Sequence, residues 1–297
     1  MEEFVKKLLV PTVSPNGAAK KPHHIAYTDW GDSKNPHVVI CVHGLTRNCR
    51  DFDYLADVLS SQCRVICPDV VGRGQSDWLE EEKDYDYYPV YLSDAALLIR
   101  HIRSQYSVPV KIDWVGISMG GLIGMMIATD PENEIHKLVI SDIGPLIPVA
   151  ALKRMSEYVG KAVRFNNLAE FETYIRKISA PFGKLTDEQW RHLTIHSARL
   201  LSDGAYSFYY DPKISASFKA HTLMDDINLW EYWDRLETPT LVIRGAESDV
   251  LLDETAVEMQ QRGPRAKIVE LSGIGHAPIL LDEKQIFIVK NFLLEYI

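Results

Sequence analysis

The chain alternates between two kinds of segment, and this alternation restricts its fold more than any other feature of the sequence. Short apolar runs rich in Val and Ile predict strands, and they occupy His24–Trp30, His37–His43, Arg64–Asp69, Lys111–Gly116, Lys137–Asp142, Leu241–Gly245 and Lys267–Leu271. Stretches with helical periodicity lie between them, at Asp51–Ser61, Val90–Ser104, Gly120–Thr129, Asp253–Arg262 and Asp282–Tyr296. This order predicts an α/β fold with a mostly parallel central sheet and helices on both faces. The early strands, which precede the first crossover helix, are free to pair antiparallel.

One long segment breaks the alternation. Between about residues 145 and 233 the sequence contains amphipathic helix candidates and no convincing strand. The candidates are Val149–Val159, Leu168–Ile178, Thr186–Arg199 and Asp226–Asp234. Thr186, followed three residues later by Gln189, is typical of a capped helix start. We therefore expect a core formed by residues 1–145 and 235–297, and a helical cap formed by residues 146–234 that covers the strand ends as a lid.

The composition argues against several kinds of partner. The chain has 41 acidic and 32 basic residues and a formal charge of -9, which repels phosphate backbones, so no nucleic acid is expected as a partner. Charged residues interrupt every long apolar run, so no membrane span is expected. The first ten residues lack the basic-then-apolar order of a secretory signal. We expect a soluble, cytoplasmic protein.

The four cysteines do not predict a metal site or a disulfide. Cys41, Cys49, Cys63 and Cys67 contain no C-x-x-C pair. Cys41 and Cys67 also lie in apolar runs, where a thiol packs as a small hydrophobic group. The sequence implies no metal and no cofactor.

Residues 112–121 contain a G-x-S-x-G pattern formed by Gly116, Ser118 and Gly120. The pattern lies between a predicted strand and a predicted helix, where it produces a sharp turn that exposes the serine hydroxyl. Three matched positions also arise by chance, because Gly and Ser are common. The flanking elements nevertheless make Ser118 a candidate nucleophile.

A serine nucleophile needs a base, and the base needs an anion that holds its ring. His276 lies in a glycine-flanked loop after the last predicted strand, and such loops gather at the carboxyl edge of a parallel sheet. We expect His276 to be the base. Asp249 follows the strand Leu241–Gly245, and we expect it to orient His276 because the order along the chain is then Ser, acid, His. Glu247 and Asp142 are the competing carboxylates.

The substrate oxygen that becomes negative during attack needs hydrogen-bond donors. The backbone N–H of Met119, at the start of the predicted helix, is one candidate. The N–H of Leu45 is the second, because Gly44 lets the backbone approach closely there. We expect His43, which ends an apolar run, to be a structural ring that orients this loop.

Five motifs, in this order along the chain, resemble the α/β-hydrolase superfamily. They are Val39–Leu45, Asp69–Asp77, Gly116–Gly121, Arg244–Asp249 and Gly273–Pro278. The resemblance spans nearly the whole chain and implies the α/β-hydrolase fold. It implies that Ser118, Asp249 and His276 are the catalytic triad and that Leu45 and Met119 form the oxyanion hole.

The same resemblance implies that Arg73 and Asp77 form a positioning pair and that residues 146–234 are the variable cap that selects the substrate. Members of the superfamily that open epoxides or displace halide use an aspartate nucleophile, so Ser118 argues against both reactions. We expect a serine hydrolase that cleaves a small or medium ester, thioester or lactone through an acyl-enzyme. Seven aromatic residues are candidates for the pocket, although most aromatics at helical spacing belong to a core: Phe182, Trp190, Phe208, Tyr209, Tyr210, Trp230 and Trp233.

Three alternatives stay open at this point. A hydrolase of carbon–carbon bonds in vinylogous diketones would use the same triad. A ligand receptor would carry a vestigial triad and report binding through its cap. An inert scaffold would hold the three groups far apart, and fold-level analogy does not separate these cases.

Overall fold

The computed structural model describes residues 5–13, 19–85, 88–216 and 224–294. Within them the strands are β1 (Val5–Val13), β2 (Ala19–Trp30), β3 (His37–Val42), β4 (Arg64–Pro68), β5 (Lys111–Ile117), β6 (Ile135–Ser141), β7 (Leu146–Ile147), β8 (Ala198–Leu200), β9 (Tyr206–Phe208), β10 (Ile227–Asn228), β11 (Thr240–Gly245) and β12 (Lys267–Leu271). The helices are α1 (Asp53–Leu59), α2 (Tyr88–Arg103), α3 (Met119–Ile127), α4 (Val149–Ser156), α5 (Leu168–Ile178), α6 (Asp187–Ser197), α7 (Trp230–Asp234), α8 (Asp253–Met259) and α9 (Glu283–Leu294).

The central sheet has eight strands in the order β1-β2-β4-β3-β5-β6-β11-β12. All pairs from β4 to β12 are parallel. The pairs β1–β2 and β2–β4 are antiparallel. The predicted α/β fold with a mostly parallel sheet is confirmed, and so is the antiparallel start.

Both faces of the sheet are buried, which explains why its strands are apolar runs rather than alternating patterns. In β3, Val38 and Ile40 belong to the core on the face that α2 and α3 cover. Val39 and Cys41 belong to the core on the opposite face, under α1 and α9. Burying a side chain of this size contributes roughly 1.5–3 kcal/mol, so successive residues stabilise both layers.

Strand β1 is absent from the sequence predictions. It lies at the edge of the sheet, where Lys6, Lys7 and Leu9 are exposed and Val10 is fully buried. An edge strand with so little burial produces no apolar run, so the sequence contains no signal for it.

Residues 146–234 are called here the inserted segment, because they connect β6 to β11. Helices α4, α5, α6 and α7 lie at the four predicted places, and the predicted capping box of Thr186 and Gln189 is confirmed. The expectation of no strand was wrong. The segment holds two short antiparallel pairs, β7 with β10 and β8 with β9, each strand being two or three residues long. Strands this short carry no readable period-2 pattern.

The loops that follow β3, β5, β6, β11 and β12 lie at the carboxyl edge of the sheet, because parallel strands end on the same side. These loops carry most of the polar residues considered below. No helix among the described residues is both long and apolar enough to cross a membrane.

Candidate active site

Ser118 occupies a sharp turn between β5 and α3. Its backbone has φ 50° and ψ −116°, a conformation that is uncommon for a residue other than Gly. A Cβ atom at Gly120 would lie 2.0 Å from the carbonyl oxygen of Val42, and one at Gly116 would lie 2.2 Å from that of Gly120. Gly120 is therefore required for the turn to pack against β3, and Gly116 is required for α3 to pack back against β5.

Ser118, His276 and Asp142 form a hydrogen-bonded series. The Oγ of Ser118 lies 2.9 Å from Nε2 of His276, and Nδ1 of His276 lies 2.8 Å from Oδ2 of Asp142. A carboxylate only accepts, so Nδ1–H donates to Asp142 and Nε2 is left to accept the proton of Ser118. The three residues follow β5, β12 and β6, so the predicted meeting of Ser118 with His276 at the sheet edge occurs in the structure.

Asp142 is fully buried and is held by three donors. Oδ1 accepts from the N–H of Gly245 at 2.7 Å, and Oδ2 accepts from Oγ of Ser248 at 2.6 Å as well as from His276. Ser248 in turn accepts the N–H groups of Val250 and Leu251 at 3.1 Å. This network holds the carboxylate in place and leaves neither oxygen unpaired.

The prediction that Asp249 orients His276 was wrong. Asp249 lies on the loop after β11, but its carboxylate forms a bidentate pair with Arg154 of α4, at 2.5 and 2.8 Å. Glu247 is exposed on the same loop. The loop turns so that Ser248, between these two carboxylates, faces inward and meets Asp142. Strand β6 lies directly beside β5, which brings Asp142 closer to the serine turn than the β11 loop does.

The predicted oxyanion donors lie beside Ser118. The loop with Gly44 and Leu45 passes over the serine, since a Cβ on Gly44 would lie 3.7 Å from Cβ of Ser118. Among the described residues we find no protein acceptor for the N–H of Leu45 or of Met119. Two N–H groups without an internal partner next to a nucleophile are able to bind a developing anion.

Hydrogen bonds from His43 and Arg73 hold the loop that carries Gly44 and Leu45. Nδ1–H of His43 donates to the carbonyl of Gly44 at 2.7 Å, and Nε2 accepts the N–H of Val70 at 3.0 Å. Burial lowers the pKa of His43 to about 4, so the ring is neutral near pH 7. The predicted structural role of His43 agrees with these bonds.

Arg73 and Asp77 do not form the expected side-chain pair. Nε of Arg73 donates to the carbonyl of Leu45 at 2.9 Å, whereas the Asp77 carboxylate accepts from the backbone and ring of His24. Arg73 is fully buried, and it also donates to the hydroxyl of Tyr91 at 3.0 Å. Arg73 therefore holds the loop that carries Leu45 without a hydrogen bond to the Asp77 side chain.

A cavity of about 90 Å³ lies between the sheet edge and the inserted segment. Ser118, His276 and Leu45 form its floor, and residues of the inserted segment form its roof: Arg154, Met155, Tyr158, Val159, Ile178, Ser179, Pro181, Phe182 and Phe208. Of the seven predicted aromatic candidates, Phe182 and Phe208 line it. Trp190, for example, belongs to a buried cluster that joins Phe171 of the inserted segment to Ile279 and Leu281 of the loop before α9.

Among the described residues, one group of side chains lies close enough to share a metal ion: Asp53, His192 and His196. Both carboxylate oxygens of Asp53 accept from Arg50, and Nε2–H of His192 donates to the Arg50 carbonyl at 2.8 Å. Burial and the nearby Arg50 charge lower the pKa of His196 to about 3. The bonds that Asp53 and His192 already make, next to the guanidinium of Arg50, make this group a poor cation site.

Sequence reasoning missed two residues at this site. Asp142 was only a competitor, and Ser248 was not considered. The signal for Asp142 was its place directly after β6, the neighbour of the strand that ends at the serine turn. No sequence signal marked Ser248, because its role depends on the path of one loop.

The sheet is mostly parallel, and its carboxyl edge presents a serine on a strained turn, in series with a histidine and a buried carboxylate. This is the arrangement of an α/β-type serine hydrolase. Residues 39–287 match the model of the alpha/beta hydrolase family, and the chain belongs to that family. It is accordingly an enzyme of the hydrolase class, and its relatives are named hydrolases and esterases.

The chain is similar to several known proteins. It is 41% identical to the 3-hydroxybutyrate-oligomer hydrolase of Cupriavidus necator over 290 residues, which cover 95% of this chain and 96% of that one. It is 26% identical to an esterase of Mycobacterium tuberculosis over 255 residues, covering 82% and 78% of the two chains. An α/β hydrolase from Novosphingobium aromaticivorans superposes with a TM-score of 0.81 at 31% identity, over 98% of both chains.

Proposed function

We propose that this protein is a serine ester hydrolase in which Ser118 is the nucleophile, His276 the general base and Asp142 the carboxylate that orients His276. The observation that carries the proposal is the continuous series of hydrogen bonds, 2.9 Å from Ser118 to His276 and 2.8 Å from His276 to Asp142. These distances lie within the range of about 2.6 to 3.2 Å that proton transfer between a nucleophile and its base requires.

In the first half of the reaction, Nε2 of His276 takes the Ser118 proton while Oγ attacks the ester carbonyl carbon. The carbonyl oxygen becomes negative and accepts hydrogen bonds from the N–H groups of Leu45 and Met119. The tetrahedral intermediate then collapses, the bond to the leaving oxygen breaks, and His276 gives its proton to the departing alcohol. The product of this half is an acyl-enzyme on Ser118.

In the second half, water takes the place of the alcohol. His276 removes a proton from the water, the oxygen attacks the acyl carbon, and the same two N–H groups hold the second oxyanion. Collapse returns the proton to Ser118 and releases a carboxylic acid. Asp142 accepts the hydrogen bond from Nδ1 of His276 throughout and stabilises the imidazolium that forms twice in the cycle.

For the substrate we propose a short oligoester of a hydroxy acid, of the 3-hydroxybutyrate type. The proposal is supported by the relative that hydrolyses 3-hydroxybutyrate oligomers, because the similarity covers nearly all of both chains, the inserted segment included. We further propose that residues 146–234 act as a cap over a core of residues 1–145 and 235–297. The cavity supports this, since its roof comes from the inserted segment and its floor from the core.

A fluorophosphonate probe followed by peptide mapping tests the nucleophile without any assumption about the substrate. We expect one labelled residue, Ser118, and no label in Ser118→Ala. With p-nitrophenyl butyrate the wild type should show a burst of p-nitrophenol, and Ser118→Ala should show neither burst nor turnover at an unchanged melting temperature.

A label on any other residue, or an active Ser118→Ala variant, would overturn the assignment. The substrate class is tested separately by the release of monomer from 3-hydroxybutyrate dimer and trimer, followed by chromatography. A protein that is labelled at Ser118 but cleaves only a vinylogous diketone would refute the ester proposal and leave the nucleophile intact.

A further inference from the structure

Two arginines line the cavity next to the candidate nucleophile, and they differ in exposure: 11% of the Arg47 side chain and 42% of the Arg154 side chain are accessible. Arg47 directs Nε and Nη2 to Asp51 at 2.8 and 2.6 Å, and Nη1 to Oγ of Ser197 at 2.9 Å. All three of its nitrogens are bonded within the protein. Arg47 joins the core to the inserted segment and has little capacity for a ligand.

Arg154 is different. It projects from α4, in the roof of the cavity, and Asp249 takes two of the five N–H groups of its guanidinium, one on Nε and one on Nη2. The side chains of Arg154 and Asp249 are 42% and 48% exposed, so this ion pair is open to solvent and to a substrate. The hydroxyl of Tyr158, one turn further along, also contacts the guanidinium. The other three N–H groups are not bonded to Asp249, and Arg154 lines the cavity, so it presents a charged guanidinium at the cavity wall.

We propose that Arg154 binds the free carboxylate of the substrate, so that the enzyme selects acid-terminated oligoesters over neutral esters. This inference rests on the proposed function, because a hydroxy acid oligoester carries a carboxylate at one end. A guanidinium matches a carboxylate with two parallel N–H···O bonds, and charge-assisted bonds of this kind are the stronger ones. Anchoring that end would hold the ester bond at a set distance from Ser118.

Asp249 has a defined part in this arrangement. Its bidentate contact holds the guanidinium of Arg154 against the loop after β11, which fixes the orientation of the remaining N–H groups. Its negative charge also offsets the charge of Arg154 and weakens the attraction for a substrate anion. Removing that charge should therefore strengthen carboxylate binding, the opposite of what removing Arg154 should do.

The test uses two substrates that differ only in charge, the 3-hydroxybutyrate dimer and its terminal carboxamide. Each has one ester bond and yields products that chromatography resolves. The readout is the ratio of kcat/KM for the dimer to kcat/KM for the carboxamide, measured within each variant, so a general loss of activity or of folded protein cancels. In Arg154→Gln we expect this ratio to fall about ten- to hundredfold, mainly through KM for the dimer.

Three further variants test the geometry of the guanidinium, the charge of Asp249 and the effect of removing an unrelated arginine. Arg154→Lys keeps the charge without the bidentate geometry, and its ratio should lie between those of the wild type and Arg154→Gln. In Asp249→Asn the ratio should rise about threefold to tenfold. Arg164→Gln is the matched control, because Arg164 is an exposed arginine of the inserted segment that pairs with Asp203 and does not line the cavity. Its ratio should equal that of the wild type.

The outcomes separate this inference from the proposed function. Suppose that the wild type cleaves both substrates. If Arg154→Gln then leaves the ratio unchanged, or if Arg164→Gln lowers the ratio as much as Arg154→Gln does, carboxylate binding by Arg154 is refuted. Ester hydrolysis stands in either case. A ratio that falls in Asp249→Asn would refute the role given to Asp249. If the wild type cleaves p-nitrophenyl butyrate but neither dimer nor carboxamide, the proposed substrate class fails and this inference fails with it.

Discussion

The replacement Asp142→Asn tests the structural basis of the candidate site most directly. Asp142 accepts hydrogen bonds from His276, Ser248 and Gly245, and both of its oxygens are used. An amide has a single acceptor oxygen, so its NH₂ group must face at least one of these donors. If the NH₂ group faces His276, it donates to Nδ1 and places the imidazole proton on Nε2. The ring is then in the tautomer that is unable to accept the proton of Ser118.

The expected loss follows from that change of tautomer. In serine hydrolases, replacing the triad aspartate by asparagine keeps the geometry and lowers kcat about 10⁴-fold, which corresponds to about 5.5 kcal/mol of transition-state stabilisation. We expect a loss of that order here, because the residue is fully buried and water has no access to compensate. The Asp249→Asn variant should lose less than about tenfold with a neutral ester, since the Asp249 carboxylate pairs with Arg154 rather than with His276.

The assay is single-turnover and steady-state hydrolysis of p-nitrophenyl butyrate, with thermal unfolding to check that each variant is folded. Glu247→Gln serves as the matched control, because Glu247 is an exposed carboxylate on the same loop as Asp249. The reasoning is refuted if Asp249→Asn loses about 10⁴-fold in kcat while Asp142→Asn retains most of its activity. That result would mean that the acid reaches His276 from β11 during the reaction.

Two further predictions concern stability. Gly120→Ala should lower the free energy of unfolding by at least about 1 to 3 kcal/mol and abolish fluorophosphonate labelling, since the new methyl would meet the backbone of Val42 at 2.0 Å. The control for labelling is Gly204→Ala, where no atom lies within 4 Å of the new methyl. The φ of 87° at Gly204 strains an alanine backbone, so this variant should lose stability but label normally. Burial lowers the pKa of His43 to about 4, below its ordinary 6.5, so the unfolded chain binds more protons between these values. Because of this one residue, the free energy of unfolding should fall by about 3 kcal/mol as the pH drops from 7 to 4. Urea titrations at the two pH values measure this fall. An equal fall in the His43→Gln variant would contradict the argument.

Much of the core was predictable from the sequence because its signals are local. The burial of both sheet faces gives each central strand a continuous apolar run, and seven strands lie where such runs predicted them. The serine turn was equally readable, because the steric demands at Gly116 and Gly120 leave room for no other residue. The edge strand β1 and the short pairs of the inserted segment were not readable, since too few of their residues are buried to impose a pattern.

The acid shows why the rest of the site was not predictable. Asp142 directly follows β6 and Asp249 lies four residues after β11, so both carboxylates are candidates at the carboxyl edge of the sheet. Which one meets His276 depends on the direction in which the loop after β11 turns. In the structure Ser248 faces Asp142, and its neighbour Asp249 faces the inserted segment and Arg154.

The sequence by itself determined the elements of this protein, the serine at the turn and the histidine in its glycine-flanked loop, because periodicity and backbone sterics act over a few residues. Tertiary structure alone decided which carboxylate completes the series and which of the two cavity arginines is the more exposed. Those choices depend on contacts between residues more than 90 positions apart, such as Asp142 with His276 and Arg154 with Asp249. The free energy of such contacts depends on burial and on distances of less than 3 Å between side chains, and these arise only when the strands and the inserted segment pack together.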